Sequence, residues 1–524
     1  PIFCLNHNAI YLYVISIFAK NLYDLQNMRT YLSIIAFLFS IIMMPAHAAK
    51  KHELRGAWIA TVANIDWPST KGNYEKQKDE MIAMLDSLHS CNINTIFLQV
   101  RPCADALYKS EMEPWSAYLS GKQGSEVNYD PLAFAIDECH KRCMEVHAWI
   151  NPYRVTNGEG VDKLSKNHLY FRRPELFLTY GGKVYFNPGL EEVRDYLTSI
   201  VMDIVLRYDV DGIHMDDYFY PYKVAGEEFP DFETFKNHHR DQYDRQAWRR
   251  DNVNLVVKMI HDAIHRAKPW VWFGVSPFGV YRNEKDDWRA TKAGASCTNY
   301  DELCADVLLW LEKGWIDYAA PQLYWELGRE GLDYGVLSKW WGDWSYGRNM
   351  FVGLYASGLA VKKDKAWKEG NEVIRQLNTS YNNNKINGYI FYSAKYLRDD
   401  YRGLKTELKK DLFRYPALVP VDPMTESSPS SAPKGLKIEG DMMRWKPVVK
   451  KGGFDTRYYA IYCFSEFEDV DLSKVERIIA FTQASEVDVQ EFRLPNGNYK
   501  FVVTSINKFR HESKASKPVE FEKR

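Results

Sequence analysis

The sequence predicts an α/β protein, a (β/α)8 TIM barrel followed by a small all-β sandwich. Three observations carry that expectation. The chain has 524 residues, more than one ordinary core holds, so two or more domains are expected. From Glu53 to Tyr415 strand-like and helix-like segments alternate with a period of about 40 residues, as in barrels with long loops. After the Pro/Ser-rich stretch Pro416–Pro433 the pattern changes to short alternating runs.

The expected barrel strands are Leu54–Thr61, Thr95–Arg101, Val146–Asn151, Gly212–Asp217, Val271–Ser276, Tyr318–Tyr324, Phe351–Ala356 and Gly388–Ser393. Between them lie amphipathic segments: Glu75–Ser90, Pro131–Arg142, Leu190–Tyr208, Trp248–Lys268, Asp301–Lys313 and Lys365–Tyr381. Repeated β-then-α order implies parallel strands joined by crossover helices. A doubly wound open sheet is the alternative. No G-x-G-x-x-G follows the first strand, so no dinucleotide site is expected and no cofactor is assigned.

Residues 416–433 read as a linker, dividing a separable barrel (49–415) from a second domain (434–524). In the latter, Gly435–Glu439, Met442–Trp445, Tyr458–Ser465, Ile478–Thr482, Glu491–Leu494, Tyr499–Asn507 and Pro518–Glu522 read as seven strands. Trp445 and the Gly497–Thr504 stretch resemble a fibronectin type III domain, with Tyr499 at that family's core tyrosine. No catalytic cluster is visible there, so this domain is expected to position the barrel or to meet an envelope partner.

At the other end, Met28–Ala48 reads as a signal peptide: Arg29, the apolar run Tyr31–Met44, then Ala46-His47-Ala48. Residues 1–27 read as upstream sequence before a misplaced start. The apolar run is shorter than the ~20 residues a membrane helix needs, so no integral span is expected after cleavage. The implied location is secreted, periplasmic or at the cell surface. Seven Cys follow the signal without C-x-x-C spacing, and most are expected to be small buried residues. The formal net charge is -1, which gives no basis for a nucleic-acid partner. With 16 Trp and 35 Tyr, the chain has aromatic surface either for a large core or for a cleft that stacks on sugar rings.

Strand alternation places the site. Ile213 and Met215 should face the helices, which turns His214 and Asp216 inward at the upper rim. Asp217 is the reserve if the strand twists at its end. By the same parity Gln99, Arg101, His147, Trp149, Asn151, Gln322 and Tyr324 turn inward, with Glu326 beyond them, and Ser276, Tyr355 and Tyr392 close the ring. So many polar groups at one rim indicate a site, because a barrel core packs branched apolar side chains. Glycoside hydrolysis needs two carboxylates. Asp216 is assigned nucleophile or base, kept ionised by Arg101. Glu326 is assigned general acid, its proton favoured by the apolar surfaces of Tyr324 and Trp325.

Leu54-Arg55-Gly56-Ala57-Trp58, Gln99-Val100-Arg101-Pro102, Asn151-Pro152-Tyr153-Arg154, the Asp211–Pro221 run and Pro321-Gln322-Leu323-Tyr324-Trp325 together resemble the bacterial glycosyl-hydrolase-like family ten barrels. The resemblance spans essentially residues 50–415 and departs mildly at Met215. It implies a periplasmic or surface enzyme acting on polysaccharide, with peptidoglycan strands as the leading substrate class. Arg101 and Arg154 would suit an acidic sugar through paired donors, or would instead pair with Asp105, Asp216 or Asp217. Tyr153, Tyr218, Phe219, Tyr220, Tyr324 and Trp325 would stack on sugar rings. Two rivals stand beside this reading: an inert glycan-binding barrel, and a metal-dependent hydrolase on His214, Asp216 and Asp217.

Overall fold

The computed structural model describes residues 48–283, 287–291, 293–425, 429–448 and 456–524. The expected upstream segment and all but the last residue of the signal peptide lie outside the described residues. Eight strands close into a parallel barrel: β1 (Leu54–Ile59), β2 (Thr95–Arg101), β3 (Glu145–Ile150), β6 (Gly212–Met215), β7 (Trp272–Val275), β8 (Tyr318–Ala319), β9 (Asn349–Leu354) and β10 (Gly388–Phe391). The hairpin β4 (Phe177–Tyr180) and β5 (Lys183–Phe186) stands outside the ring. Closure excludes the doubly wound sheet.

Side-chain alternation explains the two cores. Ile96, Leu98, Val146, Ala148, Ile213 and Met215 pack outward against the helices. Trp58, Phe97, Trp149, Trp272, Tyr318 and Phe351 fill the interior. Aromatic rings replace the usual branched aliphatics, and glycines make room for them. A Cβ on Gly274 would lie 2.2 Å from the Tyr318 ring, and one on Gly212 2.5 Å from His147.

Helix starts follow their caps. Asn73 accepts from the Lys76 amide ahead of the helix Tyr74–His89, and Asp130 caps Pro131–Lys141, which has proline in its first turn. The expected helix Lys365–Tyr381 is two helices, Lys365–Lys368 and Glu372–Ser380, split at Gly370 with φ +75°. Asp301–Lys313 is helical only over Val307–Lys313. The β4–β5 hairpin was not expected, although Gly181-Gly182, both with positive φ, is a two-residue hairpin signal.

The C-terminal region holds β11 (Lys434–Glu439), β12 (Met442–Lys446), β13 (Thr456–Ser465), β14 (Ile478–Thr482), β15 (Glu486–Asp488), β16 (Gly497–Asn507) and β17 (Val519–Lys523). They form two antiparallel sheets, β11-β12-β15 and β14-β13-β16-β17. The expected strand Glu491–Leu494 is a correction: Val489–Phe492 is a 3-10 turn, and β15 supplies the strand. β13 is buried on both faces. Tyr459, Ile461 and Cys463 enter the sandwich core, whereas Tyr458, Ala460, Tyr462 and Phe464 pack with Leu418 and Cys143 of the barrel side.

That second face docks on the amino-terminal ends of the barrel strands. Arg510 binds Glu145 at 2.8 Å and donates to the Asp211 carbonyl, with its guanidinium 3.6 Å above the Trp272 ring. Arg457 meets Asp211 at 2.5 Å. The first residues of the expected linker are packed too: Leu418 exchanges backbone hydrogen bonds with Lys51 and Glu53, and Val419 joins the barrel interior. All seven cysteines after the signal are free, and six are buried.

Candidate active site

Every barrel strand contributes to one cleft of about 370 Å³ at the carboxyl ends. Trp58 comes from β1, Gln99 from β2 and Trp149 from β3, with Arg154 and Asn157 following it. Asp216 and Tyr218 follow β6, Ser276 follows β7, Gln322 and Tyr324 follow β8, Tyr355 follows β9 and Tyr392 follows β10. One wall is a set of near-parallel rings. Tyr324 and Tyr355 lie 4.7 Å apart at 20°, and Tyr324 and Tyr392 lie 6.0 Å apart at 28°. Such faces suit the apolar sides of sugar rings.

Asp216 is the one carboxylate lining the cleft among the described residues. Its Oδ1 accepts from the Asp217 amide at 2.9 Å and from Gln322 Nε2 at 3.1 Å. Burial raises its pKa, while hydrogen bonds from Asp217 and Gln322 and the nearby Arg154 charge oppose the rise. Asp217 lies behind it, bonded to the Tyr222 hydroxyl. Burial and the Asp216 charge push Asp217 well above the usual range. Both carboxyls of the pair are therefore shifted toward the protonated form relative to two separate surface carboxyls.

Below the cleft a row of hydrogen bonds runs down the barrel axis. Trp58 Nε1, which can only donate, points at His214 Nε2 at 3.1 Å. His214 Nε2 thus accepts, and its Nδ1–H donates to Tyr318 OH at 3.0 Å. The Tyr318 hydroxyl in turn donates to His147 Nδ1 at 2.9 Å, which leaves the His147 Nε2 proton facing Glu145 at 3.6 Å. Both imidazoles are fully enclosed, and burial lowers both pKa values.

The structure corrects several sequence assignments. Glu326 is absent from the cleft lining. It lies beyond the short β8, where strand parity no longer governs direction. Burial alone would raise its pKa, but bonds from Trp367 at 3.0 Å and Arg329 at 3.0 Å outweigh that and lower it, the reverse of what a general acid requires. Arg101 does not reach Asp216. A register shift between Gln99 and Arg101 in the β2–β3 pairing redirects it, and it grips Glu113 through two bonds of 2.7 and 2.6 Å. Asn151 donates to the Pro102 carbonyl, and Tyr153 is buried in the helix-facing core. Tyr220 accepts from Asn252, and Trp325 meets Phe278 edge-on. His214 forms the floor beneath the cleft and touches Trp58, Ser276 and Tyr318, with no bond to Asp216.

Gln99, Arg154, Asp216, Tyr218, Ser276, Gln322, Tyr324, Tyr355 and Tyr392 do come together. Trp58, Val62, Ala63, Ile65 and Asn157 were missed. Trp58 was legible, because Ala57 and Ile59 face the helices. Two lining donors, Gln99 Nε2 and Trp149 Nε1, are buried with no hydrogen-bond partner among the described residues. No metal set converges on His214, Asp216 and Asp217. The one convergent group among the described residues is His261, His265 and Asp317, at the opposite barrel end.

A closed parallel barrel whose strands all feed one aromatic-walled cleft around a buried carboxyl pair is the architecture of a barrel glycoside hydrolase. The chain belongs to the Glycosyl hydrolase-like 10 family, which matches residues 53–374, and is a glycoside hydrolase. It is 40% identical to Glycosyl hydrolase YngK of Bacillus subtilis (strain 168) over 508 residues, covering 93% of this chain and 98% of that protein. It is 37% identical to Glycosyl hydrolase DigH of Escherichia coli (strain K12) over 368 residues, covering 66% and 83%. Among solved structures it is similar to the catalytic domain of a β-amylase from Paenibacillus polymyxa. The TM-score is 0.46 at 11% identity, over 69% of this chain and 98% of that one.

Proposed function

We propose that this enzyme cleaves the glycan strands of peptidoglycan outside the cytoplasm, with Asp216 as proton donor and the substrate's own 2-acetamido group as nucleophile. The observation that carries the reading is a cleft lined by a single carboxylate among the described residues, backed by a second buried carboxyl, with both shifted toward the protonated form. Two-carboxylate hydrolysis needs a partner across the scissile bond, whereas N-acetylated sugars can supply an acetamido oxygen instead. Burial raises Asp216, as a general acid requires.

The Asp216 proton moves to the glycosidic oxygen. The C1–O bond breaks with its electron pair on that oxygen, while the acetamido carbonyl oxygen bonds C1 from the opposite face. Water then adds to C1, loses a proton to Asp216 and releases the acetamido group, so the anomeric configuration is retained. The tyrosine plates stack on the sugar rings. The signal-like segment 28–48 supports the extracytoplasmic location.

Residues 434–524 are read as a fibronectin type III-like module. The three-plus-four strand arrangement supports this, as does Tyr499, whose hydroxyl donates to the Pro495 carbonyl at 2.8 Å. Digestion of peptide-free peptidoglycan strands tests the activity. Asp216→Asn is expected to lower turnover by about 10³-fold, and NMR of the first products should show the retained anomer. Near-normal turnover in that variant, or an inverted product, overturns the mechanism.

A further inference from the structure

A second groove of about 250 Å³ adjoins the cleft, and the two share Arg154 and Tyr218. Its floor and walls come from the β4–β5 hairpin and the Tyr218–Val224 loop. Its charged lining is entirely cationic: Arg154, Lys183 and Lys223. Lys223 reaches only an exposed contact with Glu302 at 3.3 Å, and Lys183 has no ion pair among the described residues. Arg154 is 8% exposed. Its Nε donates to the Pro102 carbonyl, and its guanidinium sits 4.9 Å from the Tyr218 ring centre. No carboxylate among the described residues lies within ion-pair distance of it.

A buried guanidinium is costly to leave uncompensated, and its planar fork matches a carboxylate. Here the guanidinium lines both the cleft and the adjoining groove. Tyr180, Tyr185 and Tyr222 offer ring faces beyond it.

We infer that this groove is a subsite for a carboxylate-bearing sugar, with Arg154 gripping the carboxylate and Lys183 and Lys223 drawing the acidic strand along the hairpin. The inference rests on the glycan-strand reading above and names the feature of the strand that is recognised. A carboxylate can come from a lactyl ether on the sugar or from a uronic acid. The geometry selects the charge, and the substrate arms separate the two sources.

The test measures binding by calorimetry, so it does not depend on turnover. The probes are a peptide-free muramyl oligosaccharide, the same oligosaccharide with its carboxyls reduced to alcohols, and a uronate oligosaccharide of equal length. Wild-type enzyme should bind a carboxylate form about tenfold more tightly than the reduced form. Lys183→Glu, at the half-buried first residue of β5, should collapse that ratio toward one, and Lys223→Gln should reduce it. Which acid shows the ratio identifies the source. Equal affinity of wild-type enzyme for acid and reduced forms overturns the inference, even if the strands are cleaved. A preserved ratio without turnover overturns the proposed reaction and leaves the subsite standing.

Discussion

Glu326 shows how a carboxylate beside a cleft can belong to the scaffold. Trp367 Nε1 and Arg329 hold its two oxygens, so its work is to satisfy a buried indole and to tie down the loop after β8. Glu326→Gln should leave turnover of peptide-free strands near wild type. It should cost about 1 kcal/mol of stability through the lost charged hydrogen bonds, read as a lower urea midpoint. Loss of turnover comparable to that of Asp216→Asn would return Glu326 to the chemistry. The sequence reading went astray here because alternation constrains a side chain only while the strand continues, and β8 ends at Ala319. Asp216 was legible because it follows β6 directly, with Ile213 and Met215 fixing the face. Arg101 was not, since one register shift redirects a side chain and leaves no mark in composition.

The strands themselves were readable from apolar alternation, and their starts mostly agree to within a residue. Their ends, β2 apart, were overestimated, because chain leaving a strand toward the cleft keeps the same polar-aromatic character. The axial row has its own testable signature. Trp58 forces the proton of His214 onto Nδ1, and Tyr318 then leaves that of His147 on Nε2. Imidazole 15N NMR should show two rings of opposite tautomer that are still neutral at about pH 6.5, where a free imidazole is half protonated. Both pKa values are depressed in the fold, so below about pH 6.5 the unfolded chain binds protons that the native barrel refuses. Their contribution to stability is full above that pH and declines as pH falls toward the native pKa values. A titration step near pH 6.5 in either ring would contradict the assigned order.

At the scale of the whole molecule, barrel and sandwich share buried charges. The Pro/Ser composition of residues 416–433 suggested a spacer, yet its first residues are packed, because Leu418 and Val419 are apolar and flank the barrel base. Arg510 and Glu145 are 3% and 6% exposed. Arg510→Ala should therefore cost about 3–5 kcal/mol by leaving a buried carboxylate unpaired. Arg510→Lys should recover only part, since an ammonium cannot stack flat on Trp272. A barrel cut after residue 433 should unfold at lower urea than the full chain, and equal midpoints would show that the contact is idle. Arg510 also lies 365 residues after its partner Glu145. A polypeptide that emerges amino-terminus first, from a ribosome or an export channel, must wait for the later sandwich strands before Glu145 is neutralised, so the barrel can be complete in sequence long before it is complete in charge.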